Sequence, residues 1–188
     1  MRVQVVPGEG HRHIMRSMRI LHPGVLTLEP QTAAHAAEMF EVLSDPAIYE
    51  HENAPPASLE WLRTRFEKLE SRKSGDGREQ WLNWVIRLPS SELIGYVQAT
   101  VRADGSAGIA YELGGAWWGR GLAREAVSAM MRELVEAHGV TSFTAVAKRA
   151  NFRSTRLLDR LGFGPGSDEL RVQLQVEADE VVMFRSAT

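Results

Sequence analysis

The sequence predicts an α+β fold, a mostly antiparallel sheet with helices packed on both faces. Three observations carry that prediction. Hydrophobic periodicity along the 188 residues gives the element order β-α-α-β-β-β-α-β-α-β-β. Three strand-like runs follow one another in the middle of the chain, joined by short turns. A strand, a glycine-rich turn and a long helix then occupy Ile109 to His138, the stretch around which the chain is organised.

Residues 1–24 show little periodicity and carry His11, Arg12, His13, Arg16, Arg19 and His22. They read as a mobile extension, ahead of one domain spanning 25–188. Met15 and Met18 are alternative starts, and His11-x-His13 reads as an exposed tail pair. Val25 to Glu29 is the first strand. Thr32 caps a helix from Ala33 to Leu43, which Ser44-Asp45-Pro46 ends, because proline disfavours helical geometry in the residue before it. His51 to Pro56 is a loop. Ser58 caps a second helix, with Leu59, Leu62, Phe66 and Leu69 at helical spacing. Lys73 to Gly77 is another loop. Gln80 to Leu88 and Leu93 to Arg102 form a hairpin across Pro89-Ser90-Ser91. Asp104-Gly105 turns into Ala107 to Leu113, where Ile109, Tyr111 and Leu113 alternate with Ala110, Glu112 and Gly114. In the long helix Ala126, Val127, Met130, Met131 and Leu134 make one apolar stripe, and Gly139 stops it. Thr141 to Ala147 is a strand, and Asn151 to Leu161 is a short helix closed by Gly162. Leu170 to Val176 and Glu180 to Arg185 read as two final strands.

Composition narrows the function. Hydrophobic residues at 44% and charged residues at 24% suit one globular domain with a real core. A net charge of −2 argues against nucleic-acid binding, which needs a basic face. With no cysteine there is no disulfide framework, thiol nucleophile or cysteine zinc site. The six histidines do not cluster, so no metal is implied. No apolar run is long enough for a signal peptide or a bilayer span, so no membrane role is expected and the cytoplasm is the expected compartment.

The junction between the strand and the long helix carries the chemistry. The first N–H groups of a helix lack partners within it and sit at the positive end of its dipole. Glycines before them let a ligand approach the backbone, which suits a phosphate. Trp118-Gly119-Arg120-Gly121-Leu122-Ala123 has this form, with Arg120 adding a cation. A Walker loop needs Gly-Lys-Ser/Thr, which is missing, and a dinucleotide fingerprint fails because Arg124 stands where a third glycine or alanine belongs.

The order Tyr111-Glu112-Leu113, a short spacer, Trp118 to Ala123, then Glu125-Ala126 resembles the GNAT superfamily of N-acetyltransferases, and within it the RimJ/RimL branch that acetylates ribosomal-protein N-termini. The family's loop, (Gln/Arg)-x-x-Gly-x-(Gly/Ala), maps onto Trp118 to Ala123, with Trp in place of Gln or Arg at the first position. A second signature, Asn151, Ser154 and then Gly162-Phe163, stands about 30 residues beyond the first in the right order. Phe163 reads as core packing.

The resemblance implies the GNAT fold, in which the strands flanking the long helix run parallel and splay apart to receive the pantetheine arm of acetyl-CoA. Acetyl-CoA is then the cosubstrate. Main-chain groups of Trp118, Gly119, Arg120, Gly121, Leu122, Ala123 and Arg124 would hold its diphosphate, and an N–H near Leu113 would hold the developing oxyanion. Asn151 caps a helix and, by resemblance, also bonds the pantetheine. Many members place an acidic tyrosine at the position of Leu158. Here that role is vacant, and Ser154 stands where the ribosomal-protein branch has a serine; a plain first-turn serine is the alternative. Glu112 is the candidate base, or else a surface carboxylate or substrate anchor. Arg149, Arg153, Arg156 and Arg160 share one helical face, either solvated or facing the nucleotide end of CoA, with Arg156 or Arg153 the candidate contacts. Glu38, Glu41, Asp45, Glu50, Glu52 and Glu60 fall on segments that line the acceptor side in this family.

The expected activity is acetyl transfer to a primary amine, a peptide N-terminus or a small molecule, by direct attack in a ternary complex of a monomer or homodimer. A catalytically silent acyl-CoA sensor and a structural domain without CoA are the competing readings.

Overall fold

A computed structural model describes residues 17–51 and 54–187. Among the described residues, seven strands form one sheet in the order β1-β2-β3-β4-β5-β7-β6. They are β1 (Thr27–Pro30), β2 (Glu79–Arg87), β3 (Leu93–Arg102), β4 (Ser106–Leu113), β5 (Ser142–Lys148), β6 (Gly164–Pro165) and β7 (Glu180–Ser186). The helices are α1 (Ala36–Leu43), α2 (Leu59–Glu70), α3 (Leu122–His138), α4 (Phe152–Arg160) and α5 (Asp168–Gln173). No helix among the described residues is long and apolar enough to cross a membrane.

Every strand pair is antiparallel except β4 and β5. Those two run parallel and pair only at Ser106↔Ser142, Ala107↔Phe143 and Gly108↔Thr144. Beyond Gly108 they part, so residues 109–113 of β4 face a gap where a neighbouring strand would lie. The α3 crossover makes the pair parallel, since a helix is the connection that returns a chain in the same direction.

Alternation along the strands divides the core into two layers. Trp84, Ile86 and Ile109 pack with Met130 and Leu134 of α3 and Leu158 of α4. Val85 and Leu93 face the other way, against Met39 of α1 and Leu62 and Phe66 of α2. Local signals set the helix starts. The Ser58 hydroxyl accepts the Trp61 N–H at 3.1 Å, and the Asn151 side chain accepts the Ser154 N–H at 3.0 Å. Thr32 opens a 3₁₀ turn, Ala33–His35, that leads into α1.

Three expectations are corrected. Leu170 to Val176 is not a strand: its first part is α5, and β7 instead has the two-residue β6 along its outer edge. Leu170, Val172, Leu174 and Val176 alternate as a strand would. Ser167 accepts the Leu170 N–H at 3.3 Å, however, and Asp168 and Glu169 fill the first turn, so the capping signals prevail. Val172 is 79% exposed, so its apolar side chain does not mark a buried face. Arg149 precedes α4 rather than sharing its face, and its guanidinium donates to the Ala178 carbonyl at 3.2 Å.

The third correction concerns the start of the domain. Residues 17–24 pack onto it: Leu21 and Leu28 exchange main-chain hydrogen bonds of 3.0 and 2.8 Å, and Met18 and Leu21 lie against the core. The Trp84 indole donates to the Arg19 carbonyl at 2.9 Å, and the Arg19 guanidinium pairs with the buried Glu133. His11, Arg12, His13, Met15, Arg16 and Glu52 lie outside the described residues.

Candidate active site

The glycine-rich turn has the open form expected of an anion cradle. Gly119 and Gly121 hold φ of 74° and 80°, the left-handed region that glycine enters at no steric cost. A Cβ at either position would meet no protein atom within 4 Å, so space lies above the backbone. The first main-chain bond of α3 runs from the Glu125 N–H to the Gly121 carbonyl at 3.1 Å. The N–H groups of Gly119, Arg120, Gly121, Leu122, Ala123 and Arg124 have no main-chain acceptor among the described residues. Six donors thus accumulate at the positive end of a 17-residue helix. The Arg120 guanidinium stacks on the Trp117 ring, 4.9 Å from its centroid.

The end of β4 lines the gap. The Gly114 N–H donates to the Ile94 carbonyl of β3 at 3.0 Å. Successive residues of a strand direct their N–H and C=O to opposite sides. Leu113 and Tyr111 therefore aim theirs away from β3 and into the gap. The Trp118 indole donates to the Leu113 carbonyl at 2.8 Å on that side. Gly95 makes this geometry attainable: a Cβ there would lie 2.0 Å from the Glu112 carbonyl oxygen.

Two contacts join β4 and its loop to α4. The Arg153 guanidinium stacks on the Trp118 ring, 3.5 Å from its centroid. The Tyr111 hydroxyl lies 2.9 Å from Ser154 Oγ and 3.3 Å from the Ser154 carbonyl. Asn151 and Ser154 stand together at the first turn of α4, Leu158 is buried in the core, and Arg156 is exposed. Sequence reasoning passed over Tyr111 as a partner of Ser154. The two are 43 residues apart, and no spacing rule connects a strand position with a helix turn at that distance.

Glu112 points to the other face, into a cavity of about 320 Å³ between the sheet and α2. Gln31, Tyr96 and Gln98 line its sheet side, and Tyr49 and Trp61 its outer wall. Burial, and then the charges of Glu112 and Asp45, push the Tyr49 hydroxyl up to about 12, and it donates to the Leu43 carbonyl at 2.7 Å. Of the acids expected on this side, those among the described residues do not line the cavity. Glu38 accepts the Leu93 N–H at 2.8 Å and pairs with Arg87 at 3.2 Å. Asp45 accepts the N–H groups of Ala47 at 3.0 Å and Gly115 at 2.7 Å, tying the end of α1 to the start of the loop. Glu41, Glu50 and Glu60 stand elsewhere, and among the described residues Glu112 is the carboxylate that lines the cavity.

A gap between parallel strands, an open glycine turn and, on the far face, a carboxylate thus meet at the end of β4. The acetyltransferase (GNAT) domain family matches residues 25–164, and the chain belongs to that family, a class of N-acetyltransferases that use acetyl-CoA. Among solved structures, the fold is similar to the RimL ribosomal L7/L12 α-N-protein acetyltransferase in complex with coenzyme A. The TM-score is 0.74 at 15% identity, over 89% of this chain and 98% of that one. It is also similar to ribosomal-protein-S5-alanine acetyltransferase from Vibrio fischeri, with a TM-score of 0.71 at 14% identity, over 90% and 97%. An aminoglycoside acetyltransferase in complex with coenzyme A gives 0.69 at 21% identity, over 86% and 95%. No curated protein sequence matches the chain.

Proposed function

We propose that the protein transfers the acetyl group of acetyl-CoA to a primary amine by direct attack in a ternary complex. The run of acceptor-free N–H groups from Gly119 to Arg124 carries this reading, because it offers a diphosphate what water otherwise supplies. Trp118 closes the end of the cradle through Leu113. The pantetheine arm lies in the gap as an added strand would, against the free edge of β4 and beside Asn151. Arg156 attracts the nucleotide end.

Acetyl transfer needs a neutral amine, a held oxyanion and a leaving thiolate. Glu112 takes the ammonium proton from the α2 side, directly or through water. The Leu113 N–H, aimed into the gap, holds the oxyanion. Ser154, on the opposite side, serves the sulfur. Because thioesters are already activated, positioning supplies much of the rate.

The acceptor is a peptide N-terminus or a small-molecule amine. The similarity of fold to RimL and to the S5-alanine enzyme supports the first, and the aminoglycoside enzyme the second. A free-thiol assay with acetyl-CoA and a panel of peptides, polyamines and aminoglycosides tests the function. Amine-dependent thiol release is expected. CoA binding without release for any acceptor would favour a sensor, and an unchanged melting temperature with acetyl-CoA would remove CoA altogether.

A further inference from the structure

We propose that Tyr111 is a positioning residue for the leaving-group step: its hydroxyl holds the Ser154 hydroxyl and resupplies the proton that Ser154 gives to the departing sulfur. The inference rests on the reading of Ser154 given above and goes beyond it. Tyr111 sits on the part of β4 that β5 leaves unpaired and Ser154 on the first turn of α4, so their 2.9 Å contact joins the strand to the helix beside the gap. The buried Leu158 leaves no phenol on α4 at the expected position, and Tyr111 brings one to the same helix from the other wall.

Two features favour a proton relay over plain packing. A helical serine or threonine ordinarily turns its hydroxyl back onto a main-chain carbonyl of the preceding turn. Thr155 does this, reaching the Asn151 carbonyl at 3.4 Å, whereas the contact formed by the Ser154 hydroxyl is with Tyr111. Either hydroxyl can donate across the 2.9 Å contact, and the tyrosine can also donate to the Ser154 carbonyl at 3.3 Å; when the tyrosine donates to Ser154 Oγ, the serine proton points outward. Acidity gives the second argument. An aliphatic alcohol is a far weaker acid than a phenol, whose ordinary pKa is about 10, close to the value of about 8.5 for a thiol. Serine alone is poorly matched to a thiolate, and serine backed by tyrosine is well matched.

The step balances. The amine nitrogen bonds to the acetyl carbon, and the carbon–sulfur bond breaks with its electron pair going to sulfur. Sulfur takes the Ser154 proton as Ser154 takes the Tyr111 proton. The attacking nitrogen gives up two protons to water on the Glu112 side, one from the ammonium before attack and one from the tetrahedral adduct; one is released to solvent, and water returns the other to the Tyr111 phenolate.

The test compares Tyr111→Phe, Ser154→Ala and the double variant under single-turnover conditions. Each single variant is expected to slow transfer about a hundredfold with KM for acetyl-CoA within about threefold, and the double variant to be no slower than Ser154→Ala. Additive losses, or a Tyr111→Phe loss confined to KM, would overturn the relay and leave a packing role. Rapid turnover by Ser154→Ala would overturn both the relay and the assignment of Ser154. A slow Ser154→Ala beside a normal Tyr111→Phe would overturn the relay alone. A proton inventory in mixed H₂O and D₂O needs no variant and covers the case in which Tyr111→Phe fails to fold. A curved inventory, with two protons in flight, is expected, and a linear one would overturn the proposal.

Discussion

The α3/α4 side and the α1/α2 side of the sheet meet at β4, yet they are built from different materials. The first offers main chain: the cradle from Gly119 to Arg124 and the free edge of β4. The second offers side chains from separate segments, with Gln31, Tyr49, Trp61, Tyr96 and Glu112 around one cavity. Main-chain donors recognise what every acyl-CoA has in common, a diphosphate and an amide-bearing arm. Side chains discriminate, and the buried amide nitrogens of Gln31 and Asn83 have no hydrogen-bond partner among the described residues on that side. On the proposed function, the difference teaches that the generic half of the reaction is carried by the fold and the selective half by individual residues.

The largest expected effect falls on the generic half. Gly121→Asp puts a carboxylate at the helix N-terminus and a Cβ at φ 80°, and should weaken CoA binding about a hundredfold or more by calorimetry. Unaltered affinity would break the assignment of the main chain as cradle. Glu112→Gln tests the selective half. It should lower kcat about a hundredfold at neutral pH, with the deficit shrinking as pH rises and the amine loses its own proton. A pH-independent rate ratio would reduce Glu112 to a substrate contact.

Gly95→Ala acts where the two halves join. Its Cβ has no room beside β4, so urea unfolding should show a loss of about 3 kcal/mol, with catalysis falling as Leu113 shifts. Trp118→Phe keeps the ring under Arg153 and removes the bond to Leu113. A loss of about 1 kcal/mol in the same assay is expected, and a larger one would mean that Trp118 also orders β4.

The smallest effect is confined to alkaline pH. The Tyr49 hydroxyl titrates at about 12 in the folded protein and near 10 when unfolded. The proton is held more firmly in the folded state, so stability is complete below about 10 and declines as pH rises toward about 12. Tyr49→Phe should flatten that decline in a series of denaturation curves.

Much of the cradle was legible because its parts are contiguous. Four glycines, a strand pattern before them and a helical stripe after them all lie between Ile109 and His138. Asn151 was legible for the same reason, as a helix cap acting on a residue three positions away. The acceptor side was read less well. Six acids were assigned there on segment position alone, and two of them, Glu38 and Asp45, prove to hold main-chain N–H groups. Leu170 to Val176 misled because alternation over seven residues fits a strand, while the cap that overrides it lies just before the segment.

The sequence by itself determined the element order as far as α4, the glycine turn at the start of α3 and the cap at Asn151, because each depends on neighbours in the chain. Only the tertiary structure decided how far β4 and β5 stay paired, which cavity Glu112 lines and that Tyr111 meets Ser154. Those are long-range contacts, and a side chain's partners across a sheet are fixed by register and packing rather than by the residues beside it.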